Sequence, residues 1–78
     1  MLDCPLVLDN IDEDVVVFTL EQCAKCIETK NNLYEKGVSY KEIEMEVCRF
    51  TVLNNQIKRI DVAPTIVIKR DGGFKILI

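Results

Sequence analysis

The sequence predicts an α/β fold, βαβαββ in element order, with a four-stranded mixed sheet. Three observations carry this. Val15-Val16-Val17-Phe18 is a short, continuous, β-branched run that leads straight into helical periodicity. A second strand-like segment follows, then an apolar pattern at spacings of three and four. Two further strand-like runs flank Asp71-Gly72, a tight-turn dipeptide.

The elements are justified in order. Residues 15–20 read as a buried strand. The first helix is expected over 23–36, with Ile27, Leu33 and Tyr34 as its apolar stripe. Gly37 suits a helix stop. Residues 39–45 read as a second strand, with Glu42, Glu44 and Glu46 on one face and Lys41, Ile43 and Met45 on the other. That much charge suits a sheet edge. Val47, Phe50, Leu53, Ile57 and Ile60 predict a second amphipathic helix, although Thr51, Asn54 and Asn55 are poor helix formers. Pro64 then interrupts. Residues 65–70 and 74–78 form the last two strands, antiparallel, with Gly73 extending the turn. A right-handed crossover makes the first two strands parallel neighbours.

The chain has 78 residues, room for one domain with a thin core. We expect a domain over 15–78. Residues 1–14 form a leader, apolar at Leu6-Val7-Leu8, which reads as a short extra strand or a strap. Apolar residues make up 49% of the chain, enough for a globule rather than a disordered segment. The net charge of −3 argues against nucleic acid as a partner. No basic region followed by an apolar one opens the chain, and no apolar run is long enough to span a bilayer, so the expected setting is a reducing cytoplasm.

The chemistry is concentrated in Cys23-Ala24-Lys25-Cys26. Thiol–disulfide exchange needs one accessible thiolate and a second thiol within reach of the mixed disulfide. At a helix N-terminus Cys23 faces free N–H groups and the positive end of the helix dipole, which stabilise a thiolate. Two intervening residues put Cys26 one turn on, on the same face. Cys23 is therefore expected to attack and Cys26 to resolve. Lys25 adds a positive charge, and Glu21 opposes it. The residues alone leave two other readings. The pair is a static clip of small core residues, or it supplies half of a zinc site completed by Cys4 and Cys48 or by a second chain.

With the strand, the dithiol helix and Val62-Ala63-Pro64-Thr65 in view, residues 15–78 resemble the glutaredoxins, and nearer still the redoxins that supply electrons to ribonucleotide reductase. The resemblance implies a thioredoxin fold and a thiol–disulfide oxidoreductase acting on protein disulfides. It implies a cis bond at Ala63–Pro64, close to Cys23, with Ala63, Pro64 and Thr65 shaping a substrate groove beside Lys25. A plain strand-start proline is the competing reading of Pro64. The pattern also departs from the family. Leu20 stands where glutaredoxins carry lysine, Ala24-Lys25 replaces Pro-Tyr, and the sequence stops at Ile78, before the family's Gly-Gly turn, acidic residue and final helix. Three glutathione contacts are thereby missing. No bound cofactor is expected. A reductase of the thioredoxin reductase kind is the expected donor, with glutathione the alternative. The sheet face beside the first helix needs another cover, and the leader is the expected one.

Cys4 and Cys48 read as separate thiols, since a reducing compartment disfavours disulfides. Lys58 and Arg59 read as a solvated helix end, or as a contact for an acidic partner. Tyr34 and Tyr40 read as packing residues. The competing function classes are a redoxin-like module that docks without turnover, and a zinc-binding adaptor.

Overall fold

The computed structural model describes residues 4–7, 11–53, 55–70 and 73–77. Its elements are β1 (Leu6–Val7), β2 (Val15–Thr19), α1 (Ala24–Glu35), β3 (Lys41–Glu44), β4 (Phe50–Leu53), β5 (Gln56–Arg59), β6 (Thr65–Arg70) and β7 (Gly73–Leu77). The main sheet has four strands in the order β3-β2-β6-β7. Strands β2 and β3 run parallel, joined across α1, and β6 is antiparallel to both its neighbours. The charged strand β3 lies at the edge, as its alternation implies. Asp71 and Gly72, expected to form the turn before β7, lie outside the described residues.

Alternation along β2 divides the sheet into two faces. Val16 and Phe18 point to one face, where they join Ile43, Met45, Cys48, Ile60 and Val67 in the hydrophobic core. Ile11, Ala63 and Phe74 pack against that cluster. Thr19 points to the other face and contacts Glu42 there. Helix α1 lies on this second face, because its Lys30 reaches the same carboxylate.

The second helix is not formed. Residues 50–59 are instead a hairpin, with Phe50 opposite Arg59 and Leu53 opposite Gln56. The register leaves two residues between the strands; Asn54 lies outside the described residues, and Asn55 adopts the left-handed φ of 65° that tight hairpin turns need and asparagine tolerates. Thr51 and Val52 are β-branched, and Phe50 is aromatic, so the local preference is for strand. The three-and-four spacing of apolar residues was a coincidence of two strands and a turn. Lys58 and Arg59 accordingly sit in β5, and Cys48 lies in a turn after β3, where its N–H bonds to the Glu44 carbonyl at 3.0 Å.

Strand β1 pairs in parallel with β4, making a second sheet in the order β1-β4-β5. Of the leader's described residues, Ile11 packs on the core face and β1 pairs with β4, rather than covering the face beside α1 as expected; Leu8 lies outside the described residues. Along that face Val15, Ile66 and Ile68 are half-buried and Leu77 is exposed, while Val17 is fully buried. Ile76, on the core face opposite Val67, is exposed as well.

Helix α1 is rotated relative to the expected stripe. Ile27 and Tyr34 are 55% and 81% exposed. Cys26 is buried, with Lys30 and Leu33 half-buried along the same side. The sheet face it meets carries Thr19 and Glu42, so a lysine fits there, and Ile27, about 100° around from Cys26, is left facing out. Tyr34 is thus not a packing residue. The helix ends as expected: Gly37 has φ 71°, its N–H bonds to Tyr34 O, and the Val38 N–H bonds to Leu33 O. This double bond across a left-handed glycine is a Schellman cap.

Candidate active site

Strand β2 delivers the chain into a tight turn at Leu20–Gln22, where Gln22 takes a left-handed φ of 56°. That turn places Cys23 at the N-cap of α1, with extended backbone angles. The Cys23 carbonyl accepts the first helical hydrogen bond, from Ile27 N–H at 3.2 Å. Its Sγ accepts a second, from Cys26 N–H at 3.1 Å. A cap satisfies N–H groups that a helix start leaves bare. Here the capping acceptor is sulfur, so the N–H and the helix dipole are both available to a thiolate at Cys23.

Cys23 and Cys26 form a disulfide with a Cα separation of 5.2 Å. Cys23 is half-buried and Cys26 is only 1% exposed. An incoming sulfur therefore reaches Cys23 first, and Cys26 stands behind it.

The dithiol opens on a pocket of about 230 Å³. Thr19, Glu21, Lys30, Glu42 and Glu44 line it together with both cysteines. Thr19 Oγ1 donates to Glu42 Oε2 at 2.8 Å, and Lys30 Nζ donates to the same oxygen at 3.0 Å. These bonds, the Thr19 hydroxyl first, hold the Glu42 carboxyl below the usual carboxylate range against the opposing effect of burial. Thr19 and Lys30 thus tie the end of β2 and the second turn of α1 to β3. Sequence reasoning missed this group. The alternation of glutamates along 42–46 showed their common face, but nothing local showed that the face meets Lys30.

The remaining expected site residues lie elsewhere. Ala63–Pro64 is a cis peptide bond. Thr65 is opposite Phe18 in the sheet, which puts Pro64 level with the start of the dithiol turn. Thr65 is buried, and its hydroxyl donates to the Val62 carbonyl. Ala63 packs on the core. None of these three lines the dithiol pocket, and neither does Lys25, which is exposed in the first turn of α1. Val62 and Thr65 instead border a separate groove with Lys58, Arg59 and Ile76, in which Arg59 is paired with Asp61 at 2.7 Å.

Cys4 and Cys48, expected as separate thiols, are joined in a second disulfide, with a Cα separation of 5.8 Å. Pairing of β1 with β4 brings these distant positions together. Cys48 belongs to the core face, opposite the helix face where the dithiol lies. The four cysteines are therefore two separate pairs rather than one four-ligand set, and no cluster that could hold a metal ion is found among the described residues.

The glutaredoxin family model matches residues 15–71, a span that holds the dithiol turn, α1 and the Ala63–Pro64 bond. The chain belongs to the glutaredoxin family. No curated protein and no solved structure matches it. The four-stranded mixed sheet with α1 against it is a thioredoxin-like fold, in which this glutaredoxin carries a hairpin, β4–β5, where the sequence pattern predicted a helix. Family membership points to thiol–disulfide oxidoreductase chemistry at Cys23 and Cys26. No helix among the described residues is long and apolar enough to cross a membrane.

Proposed function

We propose that the protein is a dithiol electron carrier that reduces disulfides in other proteins. The observation that carries this is the half-buried Cys23 at the helix N-cap, its sulfur hydrogen-bonded by Cys26 N–H, with Cys26 itself buried. Cys23 thiolate attacks one sulfur of the substrate disulfide. A mixed disulfide forms, and the other substrate sulfur leaves as a thiolate that takes a proton from water. Cys26 then loses its proton and attacks Cys23 Sγ, closing the Cys23–Cys26 disulfide and releasing the second substrate thiolate. Two electrons pass from the dithiol to the substrate.

Ala63 and Pro64 offer their backbone to a substrate strand, with Thr65 fixing the loop through Val62. Lys25 lies in the first turn of α1, where it meets substrate at the rim. A protein donor of the thioredoxin reductase kind returns the electrons, with glutathione the weaker alternative, in a reducing cytoplasm. Ribonucleotide reductase represents the expected substrate class. In an assay with such a reductase and a protein disulfide, wild type turns over and Cys23→Ser does not. Equal failure of both favours the second reading, a docking module without turnover, which the carboxylates beside the thiolate position support.

A further inference from the structure

The pocket that holds the dithiol is unbalanced in charge. Glu21, Glu42 and Glu44 line it against one cation, Lys30. Lys30 is engaged by Glu42 at 3.0 Å. Glu21 and Glu44 are exposed, and among the described residues no ion pair engages either. Two negative charges are therefore left over beside Cys23. Lys25, one residue before Cys26 but outside the pocket lining, offsets part of this charge, and Lys58 borders the separate groove past Val62, so the wall itself stays net negative.

A charged wall next to a nucleophile acts on every substrate that must pass it. It raises the local concentration of cations and lowers that of anions, in proportion to the charges and inversely to salt. It also acts on the leaving thiolate, which departs more slowly into a negative field. A substrate that brings its own positive charge relieves both penalties.

We infer that Glu21 and Glu44 make the Cys23–Cys26 pocket selective for disulfides carried on positively charged protein segments, and poor at taking anionic disulfides. This rests on the exchange reading above and adds a substrate class to it. The electrons still come from the reduced dithiol, and each substrate disulfide still yields two thiols.

The test uses the full chain, reduced and freed of reductant. Three small disulfides of similar size serve as probes: cystamine (dication), hydroxyethyl disulfide (neutral) and dithiodipropionate (dianion). Oxidation is followed at Cys23 and Cys26 by alkylation and peptide mass, which separates them from Cys4 and Cys48. Each rate is divided by that of dithiothreitol with the same probe, which removes intrinsic reactivity and the charge of the thiolate itself. The expected order is cystamine, hydroxyethyl disulfide, dithiodipropionate, with about fivefold or more between first and last at low salt. The ratio falls towards one in about 0.5 M salt, where screening is nearly complete at these distances. It also falls in the E21Q/E44Q variant, and it holds in Glu35→Gln, at the far end of α1. Equal normalised rates at low salt, or a ratio that persists in E21Q/E44Q, overturn the inference while leaving the exchange reading intact. Failure to exchange with all three probes overturns the exchange reading and this inference with it.

Discussion

The two faces of the main sheet each carry a disulfide, and the pairs are built for opposite ends. Cys23–Cys26 spans three residues at a helix start, beside an open, charged pocket. Cys4–Cys48 spans 44 residues and ties the β1 segment to the turn before β4, with Cys48 buried among apolar side chains. Loop closure separates them energetically. A link across 44 residues removes about 4 kcal/mol of chain entropy from the unfolded state, and one across three residues about 2 kcal/mol. Access does not divide them, since each pair joins a buried cysteine, Cys26 or Cys48, to a more open one, Cys23 half-buried and Cys4 exposed. What divides them is span: a short link at a helix start is suited to repeated opening, and a long one to holding a thin domain together.

The largest effect expected from breaking this contrast is on turnover. Cys23→Ser should lower protein-disulfide reduction to the uncatalysed background in a reductase-coupled assay. Its urea unfolding midpoint should move about half as far as that of Cys4→Ser under non-reducing conditions. Cys4→Ser should cost up to about 4 kcal/mol in urea unfolding under non-reducing conditions, while the folded fraction keeps dithiol exchange. An intact unfolding midpoint in Cys4→Ser would remove the structural half of the comparison.

How much of this was legible in the sequence follows the range of the interactions. Strand β2, helix α1 with its Gly37 cap, the parallel β2–β3 pair and strand β6 are written in local runs, and the dithiol sits at their junction. The β4–β5 hairpin was hidden because Val47, Phe50, Leu53, Ile57 and Ile60 fall at helical spacing. Thr51 and the asparagines at 54 and 55, all poor helix formers, were the contrary signals, and strand preference together with the turn conformation of Asn55 outweighed the periodicity. The Cys4–Cys48 bond could not be read, since it depends on β1 pairing with that unrecognised hairpin. The Thr19–Glu42–Lys30 group was half legible: the alternation placed Glu42 on a face, but only the rotation of α1 places Lys30 over it.

A smaller effect tests that group. Glu42 has its folded pKa below the unfolded value, so its contribution is present above the unfolded pKa, near 4.5, and is lost as pH falls through the folded one. Glu42→Gln should therefore be less stable than wild type at pH 7, by less than about 1 kcal/mol for so exposed a pair. The gap should close as the pH is lowered through the unfolded value of 4.5 and on through the lower folded one. A pH-independent gap, measured by thermal unfolding, would show that the carboxylate charge contributes nothing.

The smallest expected change is at the turn before the dithiol. Gln22 holds a left-handed φ of 56° that glycine adopts freely. Gln22→Gly should therefore leave stability unchanged or raise it by up to about 1 kcal/mol. A clear loss would mean that the Gln22 side chain, and not only its backbone, supports the turn.

The most direct test of the division between the faces is a reductive titration of the fully oxidised protein. Limiting dithiothreitol is added, free thiols are alkylated, and the labelled cysteines are located by peptide mass. The account predicts that Cys23 and Cys26 are labelled first and together, while Cys4 and Cys48 remain joined. Labelling of Cys4 and Cys48 before, or in step with, the other pair would contradict it.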